Sequence, residues 1–89
     1  MATLFVRHNV RDYSAWKAAY DAFDAERQKM GVIGHGVFQS DGDPNNVTIY
    51  HDFESMDAAK EFAGSTRLKE VMAGAGVIGI ADIWFTHKT

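Results

Sequence analysis

The sequence predicts an α+β fold in which strands and helices follow each other in the order β-α-β-β-α-α-β. Three features of the chain support this prediction. Some stretches alternate apolar and polar residues, others repeat apolar side chains every three or four residues, and a cluster of turn-forming residues separates two neighbouring strands. With a length of 89 residues the chain is short, so we expect residues 1–89 to form a single domain.

The first half of the chain predicts a strand, a long helix and a second strand. Residues 3–9 alternate apolar and polar side chains, which is typical of a strand with one covered face. From Asp12 to Met30 the large apolar side chains recur at the spacing of an amphipathic helix. Asp12 is suited to cap the start of this helix, and Gly31 is suited to end it. Residues 32–40 then predict the second strand.

The second half predicts a hairpin, two short helices and a last strand. Residues 41–46, DGDPNN, are turn formers, and residues 47–53 are rich in residues that favour strands. Ser55 can cap one short helix, and Ser65 or Thr66 can cap a second. Residues 78–88 are apolar enough to complete the sheet as its fourth strand.

This order of elements is that of a ferredoxin-like layer, in which helices cover one face of an antiparallel sheet. We expect large apolar side chains on the other face as well, and a face of that kind should not meet water. Because a chain of this size buries only about 60% of its unfolded surface, packing two copies sheet against sheet would add burial. The predicted homodimer interface contains Phe5, Phe38, Tyr50, Ile83 and Phe85.

The composition excludes several classes of function. The formal net charge is −3 and the charges are interspersed, so nucleic acid is not an expected partner. No apolar run approaches the roughly 20 residues that a membrane span needs, so no membrane association is expected. The absence of cysteine excludes disulfides and thiolate metal sites. Nothing at the start of the sequence resembles a secretion leader, so we expect a cytoplasmic protein.

The segment GAGVIG, residues 74–79, matches the glycine spacing of dinucleotide-binding loops. Such a loop needs a strand before it and a helix after it, so that phosphate meets the start of the helix. Here a helix precedes the glycines and a strand follows them, which is typical of a helix end and a turn. The sequence therefore predicts no nicotinamide or flavin cofactor. No cysteine is present to ligate haem iron, so haem is not predicted either, with ligation by a lone histidine as the one route left open.

Three motifs in the C-terminal half form a recognisable set. Residues 53–55 are an aromatic-x-Ser that caps a helix after the third strand, residues 68–72 form a short leucine-containing helix, and residues 76–80 form a glycine-containing turn into the last strand. With these motifs the chain resembles the antibiotic biosynthesis monooxygenase superfamily. The resemblance implies a dimeric α+β barrel, in which two chains close their sheets together and each keeps a cavity between sheet and helices.

The resemblance also implies a small-molecule function. Cofactor-free quinone-forming oxygenases, haem-degrading enzymes and lactone isomerases use this scaffold, so an aromatic or polyketide-like compound is the expected ligand. The quinone-forming oxygenases place Asn and Trp on the third strand, Tyr on the next helix and Arg on the short helix. The matching positions here hold Ile49, Phe53, Ala59 and Lys69. Phe53 keeps the aromatic character and Lys69 the positive charge, whereas the Asn and Tyr that could bind or deprotonate a phenol are missing. The alternative function is therefore a non-catalytic dimeric module that binds a ligand or interacts with a partner.

The four histidines, His8, His35, His51 and His87, all fall on predicted strands. Side chains alternate between the faces of a strand, which places His8 and His51 on the side of the helices. The first and third strands are neighbours in a ferredoxin-like sheet, so we expect both rings near the rim of the pocket. They could act as catalytic acid and base, bind metal together with His35, or have a purely structural role. No pair has the short spacing of a metal motif, so no metal site is predicted.

The remaining pocket residues come from the stripe of the first helix, the third strand and the short helix. An open cavity would have these residues as its walls and hydrogen-bond donors, and simple core packing is the alternative for the apolar ones. The predicted pocket residues are Trp16, Tyr20, Phe23, Ile49, Phe53 and Lys69.

Overall fold

The computed structural model describes residues 1–89, and its elements follow the predicted order with one additional helix. The strands are Ala2–Val10 (β1), Gly34–Ser40 (β2), Asp43–Phe53 (β3) and Val77–His87 (β4). The helices are Tyr13–Ala22 (α1), Asp24–Lys29 (α2), Met56–Ala63 (α3) and Thr66–Gly74 (α4). None of these helices has the length and the hydropathy needed to cross a membrane.

The strands form one antiparallel sheet in the order β2-β3-β1-β4. This confirms the predicted ferredoxin-like arrangement, including the pairing of the first strand with the third. The sheet is open, with β2 and β4 at its edges, so one chain does not form a closed barrel by itself.

The core lies between the sheet and the helices. Alternate residues of β1 and β3 point into it, and each helix that covers the sheet contributes apolar side chains, such as Trp16 from α1 and Phe62 from α3. The cluster of buried apolar side chains consists of Ala2, Leu4, Val6, Val10, Trp16, Tyr20, Phe23, Val32, Val47, Ile49, Phe53, Ala59 and Phe62.

Three helices begin at the predicted capping residues. A carboxylate oxygen of Asp12 accepts the backbone N–H of Ala15 at 3.2 Å. The Ser55 hydroxyl accepts a backbone N–H from α3 at 3.2 Å, and the Ser65 hydroxyl accepts one from α4 at 3.3 Å. Each cap satisfies one of the donors that the first turn of a helix leaves without a partner.

The single helix predicted from Asp12 to Met30 is wrong in one respect, because the helix is interrupted at Phe23. The Tyr20 carbonyl, at the end of α1, accepts a hydrogen bond of 2.6 Å from the guanidinium of Arg27. A side-chain donor at a helical carbonyl is one of the causes of a break in a helix. The interruption therefore depends on a contact that helical periodicity does not reveal.

The loop predicted over residues 41–46 is also wrong, because only residues 41 and 42 form the turn and β3 begins at Asp43. Ser40 pairs with Asp43 across the turn. Gly42 has a φ of 82°, a left-handed conformation that glycine adopts without strain. The other strand ends differ from the prediction by one or two residues.

The predicted face of the last strand is wrong. Phe85 pairs with Leu4, so Phe85 and Ile83 lie on the side of the helices. The outer face of β4 presents Trp84 instead, which pairs with Phe5 and stacks on it at 5.5 Å between ring centroids. Several consecutive residues of β4 are apolar. The sequence pattern therefore does not indicate which of them point toward the helices and which point to the outer face.

Replacing the capping serine of α3 tests the local rule on which the helix boundaries depend. The variant Ser55→Ala should lower the free energy of unfolding by about 1 kcal/mol, because the first turn of α3 loses its side-chain acceptor. Ser14→Ala is the matched control, since Ser14 is an exposed residue inside α1. Urea denaturation measures both changes, and an equal loss in the two variants would contradict the role of the cap.

Candidate functional site

A cavity of about 50 Å³ lies between the helix side of the sheet and the four helices. Ten of the thirteen residues around it are hydrophobic. The volume has room for a few water molecules and is well below the roughly 300–1,000 Å³ of small-molecule pockets. The sheet contributes Val6, His8, Ile49 and His51 to the lining. The region of the first two helices contributes Trp16, Tyr20, Phe23 and Arg27.

The roof of the cavity is formed mainly by α4, which contains no buried residue. Leu68, Val71 and Met72 reach the cavity from this helix and remain half-buried. Arg67 of α4 donates two hydrogen bonds, at 2.8 and 2.9 Å, to the Glu26 carboxylate of α2, and both side chains are exposed to solvent. The roof is therefore the one wall of the cavity whose side chains are not fully buried.

His8 enters the cavity from β1 and is only 4% exposed. Its ring meets Trp16 edge-on at 5.7 Å between centroids, and neither ring nitrogen has a hydrogen-bond partner. Burial lowers the pKa of His8 to about 4, because the charged form loses its hydration. At neutral pH the ring is uncharged and offers one donor and one acceptor.

His51 enters the cavity from β3 and is 5% exposed. It faces the helices, as alternation predicts, but it lies in the interior against Phe62, at 4.9 Å between centroids, and not at the rim. Its Nδ1 has no partner. Burial, with smaller effects of the Arg27 charge and of the neighbouring His35, lowers the pKa of His51 to about 3. This ring is also neutral at pH 7.

The expected proximity of His8 and His51 is not observed. Leu4 pairs with His51, whereas His8 pairs with Val47. The two histidines are thus four positions apart along neighbouring strands, which corresponds to about 13 Å. Among the histidines, His35 lies nearest to His51. The two residues pair across β2 and β3, and their ring centroids are 6.2 Å apart.

A chain of hydrogen bonds links the edge of the cavity to the protein surface. The Tyr20 hydroxyl lies 2.6 Å from Nδ1 of His35, and Nε2 of His35 lies 3.0 Å from Oδ1 of Asp24. With the Nε2 proton donated to the carboxylate, Nδ1 accepts the tyrosine proton. Burial raises the pKa of Tyr20 to about 12, so the hydroxyl stays protonated. Sequence reasoning missed this chain, and the position of His35 opposite His51 in the hairpin is the signal that could have indicated it.

Arg27 is the second group that sequence reasoning missed. Although charged, it is only 2% exposed and lines the cavity. Its guanidinium carbon lies 3.9 Å from the centre of the Tyr20 ring, it donates to the Asp24 carboxylate at 3.2 Å, and its Nε has no partner. An arginine within an apolar helical stripe was the available signal, because charged residues are seldom fully buried.

The structure brings together four of the six predicted pocket residues, namely Trp16, Tyr20, Phe23 and Ile49. The other two do not line the cavity. Phe53 is fully buried, and its ring packs on Phe62 at 5.4 Å between centroids. Lys69 is exposed on α4, because it follows the inward-facing Leu68 by one position and is therefore turned about 100° away.

No group of three or more His, Cys, Asp or Glu side chains comes close enough to hold a metal ion. The glycine-rich segment at residues 74–79 runs from the end of α4 into β4. It therefore has the helix-before-strand context that does not support phosphate binding at a helix start.

An open antiparallel sheet with helices on one face and a mostly apolar cavity between them defines a ferredoxin-like α+β protein. The family model for antibiotic biosynthesis monooxygenases matches residues 11–74. This match covers more than half of the chain, and the protein belongs to that family. No curated protein matches the sequence.

Solved structures support the same fold. A Bordetella bronchiseptica protein that carries the family's name superposes with a TM-score of 0.83 at 16% identity, over 99% of this chain and 96% of that one. SnoaB from Streptomyces nogalater, a cofactor-independent oxygenase, gives 0.74 at 12% identity, over 99% and 94%. A conserved protein from Methanosarcina mazei gives 0.77 at 16% identity, over 99% and 92%. At these identities the similarity establishes the fold alone.

The two buried histidines should make stability depend on pH. Both have lowered pKa values in the folded state, so the unfolded chain binds more protons below about pH 6.5, and stability falls as the pH falls toward 4. We expect each histidine to contribute a loss of about 1 kcal/mol per pH unit in this range. The measurement is the free energy of unfolding by urea at pH 7.5, 6 and 5.

Substitution identifies the source of this pH dependence. His8→Leu and His51→Leu should each reduce the slope of stability against pH, whereas the control His87→Leu, at an exposed position, should leave it unchanged. The same slope in all variants would show that other groups cause the dependence.

Proposed function

We propose that this protein binds a small, mainly aromatic or polyketide-like molecule in the cavity and acts on it without a cofactor, as an oxygenase, isomerase or cyclase. The observation that carries this proposal is the pair of buried histidines, His8 and His51, whose unpartnered ring nitrogens belong to residues that line an apolar cavity. A buried polar group without a partner costs about 1–3 kcal/mol. A ligand with carbonyl and hydroxyl groups would satisfy these nitrogens.

The aromatic walls support a flat ligand. Trp16 and Tyr20 stack on each other at 5.1 Å between centroids, and Phe23 and Phe62 also line the cavity. Aromatic rings favour offset stacking and edge contacts with other rings. The walls thus supply apolar contact and the histidines supply orientation, which is the usual division of roles in a small-molecule site.

Ligand binding would require the cavity to expand, and α4 is the element that can move. The apolar side chains of this helix are only half-buried, so an outward shift of α4 removes less apolar contact than a shift of a helix with buried residues would. Met72, a flexible side chain, lies at this roof and can adapt to the ligand. We propose that α4 moves away from the sheet when a ligand enters.

Proton transfer in this site would involve the hydrogen-bonded chain and not the two buried histidines. His8 and His51 are poor bases near neutral pH because burial lowers their pKa values. The Tyr20 hydroxyl is held by His35, which is in turn held by Asp24. This arrangement supports a path along which a proton can pass between the cavity edge and the surface.

A non-catalytic dimeric module that binds a ligand or a partner protein is the second candidate function. The small volume of the cavity, about 50 Å³, favours it. So do Ile49 and Ala59, which occupy positions where the quinone-forming oxygenases of the resemblance carry Asn and Tyr.

Binding of 1-naphthol, a hydroxylated two-ring probe, tests the ligand site by calorimetry. Ala75→Phe places bulk at a residue that lines the cavity and should weaken binding by about tenfold or more. The control Ala73→Phe adds the same bulk at an exposed position of α4 and should leave binding unchanged.

Two outcomes separate the candidate functions. Formation of a quinone from 1-naphthol and oxygen, measured by absorbance and lost in Ala75→Phe, would support the enzyme. Binding without turnover of this probe favours the module. Equal binding by wild type and Ala75→Phe, or no binding by the wild type, would contradict a ligand site in the cavity.

We also propose that two chains pack through the outer face of the sheet to close a dimeric barrel. Phe38 is 60% exposed and Trp84 is 42% exposed on this face. Phe38 lies beside Tyr50 at 6.1 Å between ring centroids, and Trp84 is stacked on Phe5. Two aromatic pairs on one open face support an interface, because such a patch is unfavourable in water.

A charge on the outer face should separate the dimer. Phe38→Asp should shift the protein to a monomer at micromolar concentration, since the carboxylate would have to be buried without a partner. The control Ile33→Asp alters an exposed apolar residue that precedes β2 and lies outside the sheet, and it should remain dimeric. Sedimentation velocity reports both, and a monomeric wild type would refute the proposed dimer.

A further inference from the structure

Arg27 places a permanent positive charge beside the cavity. Its side chain is 2% exposed, whereas Asp24, its ion-pair partner, is 45% exposed. That carboxylate is shared, because it also accepts hydrogen bonds from His35 and Gln28. The negative charge that balances Arg27 is therefore divided among three donors and lies toward solvent, while the guanidinium lies in the interior, where an incompletely balanced charge is costly.

The cavity offers hydrogen-bond donors but no anionic acceptor. No Asp or Glu lines it. Arg27 can only donate, and its Nε has no partner. His51 lies on the same tyrosine as Arg27, because its ring is 6.3 Å from the Tyr20 ring between centroids and the guanidinium carbon is 3.9 Å from that ring's centre. The Nδ1 of His51 is also unpartnered. The end of the cavity near these two residues thus lacks the negative group that its donors require.

The guanidinium is held in place before any ligand arrives. The Tyr20 carbonyl accepts a hydrogen bond from it at 2.6 Å, and it stacks over the Tyr20 ring. A fixed charge in a site shielded from water stabilises an anion without reorganisation, so it acts more strongly than a mobile charge at the surface. The alternative is a purely structural role, in which Arg27 only stabilises the interruption between α1 and α2. Arg27 would then make the same contacts with Tyr20, and its charge would not affect the affinity for ligands.

We infer that the ligand of this cavity carries an anionic oxygen, as a carboxylate, phenolate or enolate attached to the aromatic or polyketide-like body, and that this oxygen binds at Arg27 beside His51. This inference rests on the proposed function, because it assigns a charge to the ligand of the same site. His8, about 13 Å away along the sheet, would meet a second polar group at the opposite end of the ligand.

A pair of probes that differ in charge tests the inference by calorimetry. The wild type should bind 1-naphthoate about tenfold more tightly than the neutral 1-naphthalenemethanol. Arg27→Gln should lose this preference and retain the binding of the neutral probe, and Arg27→Lys should restore part of it. The control Arg11→Gln removes an exposed arginine outside the cavity and should keep the full preference.

The outcomes separate this inference from the proposed function. Equal affinity of the wild type for both probes, or a preference that survives in Arg27→Gln, would overturn the anionic ligand and leave the cavity as a ligand site. Failure of both probes to bind would refute both proposals.

A measurement on the wild type covers the case in which Arg27→Gln does not fold. The phenol of 7-hydroxycoumarin should have a lower pKa when bound than when free, by about one unit, as expected beside a fixed positive charge. Absorbance against pH gives this value, and a bound pKa that is unchanged or raised would overturn the inference.

Discussion

The pairing of β1 with β3 at the centre of the sheet is the constraint on which the rest of the structure depends. Its register places Leu4, Val6 and His8 on the same face as Ile49 and His51. The helices cover this face because it is the apolar one. Since side chains alternate with a period of two, covering the aliphatic residues necessarily encloses both imidazoles. The presence of two imidazoles in a mostly apolar cavity is thus a direct consequence of strand pairing.

Local rules account for most of the fold, and long-range contacts account for the parts that the sequence did not reveal. The capping residues Asp12, Ser55 and Ser65 could be identified because each acts within three positions of its own helix. The interruption at Phe23 could not, because it accompanies the hydrogen bond from Arg27 to a carbonyl seven residues earlier. Periodicity identifies which residues face inward, and it does not identify what they contact there.

The candidate site divides in the same way. Alternation correctly turned His8 and His51 toward the helices, but the distance between them depends on the register of two strands, which composition does not specify. The face of β4 could not be assigned because a run of apolar residues has no alternation. The chain of Tyr20, His35 and Asp24 joins three different elements, and only the folded structure brings such groups together.

The absence of buried residues in α4 has a consequence for the divergence of this scaffold. Three of the nine residues of this helix, Leu68, Val71 and Met72, touch the cavity, and none of the nine is buried, so substitutions there should be tolerated by folding even when they alter the shape of the roof. Selection for a new ligand could therefore act on one short segment while the sheet and the first three helices stay unchanged. Because the segment that shapes the cavity is separate from the segments that form the core, one fold can acquire many ligand specificities.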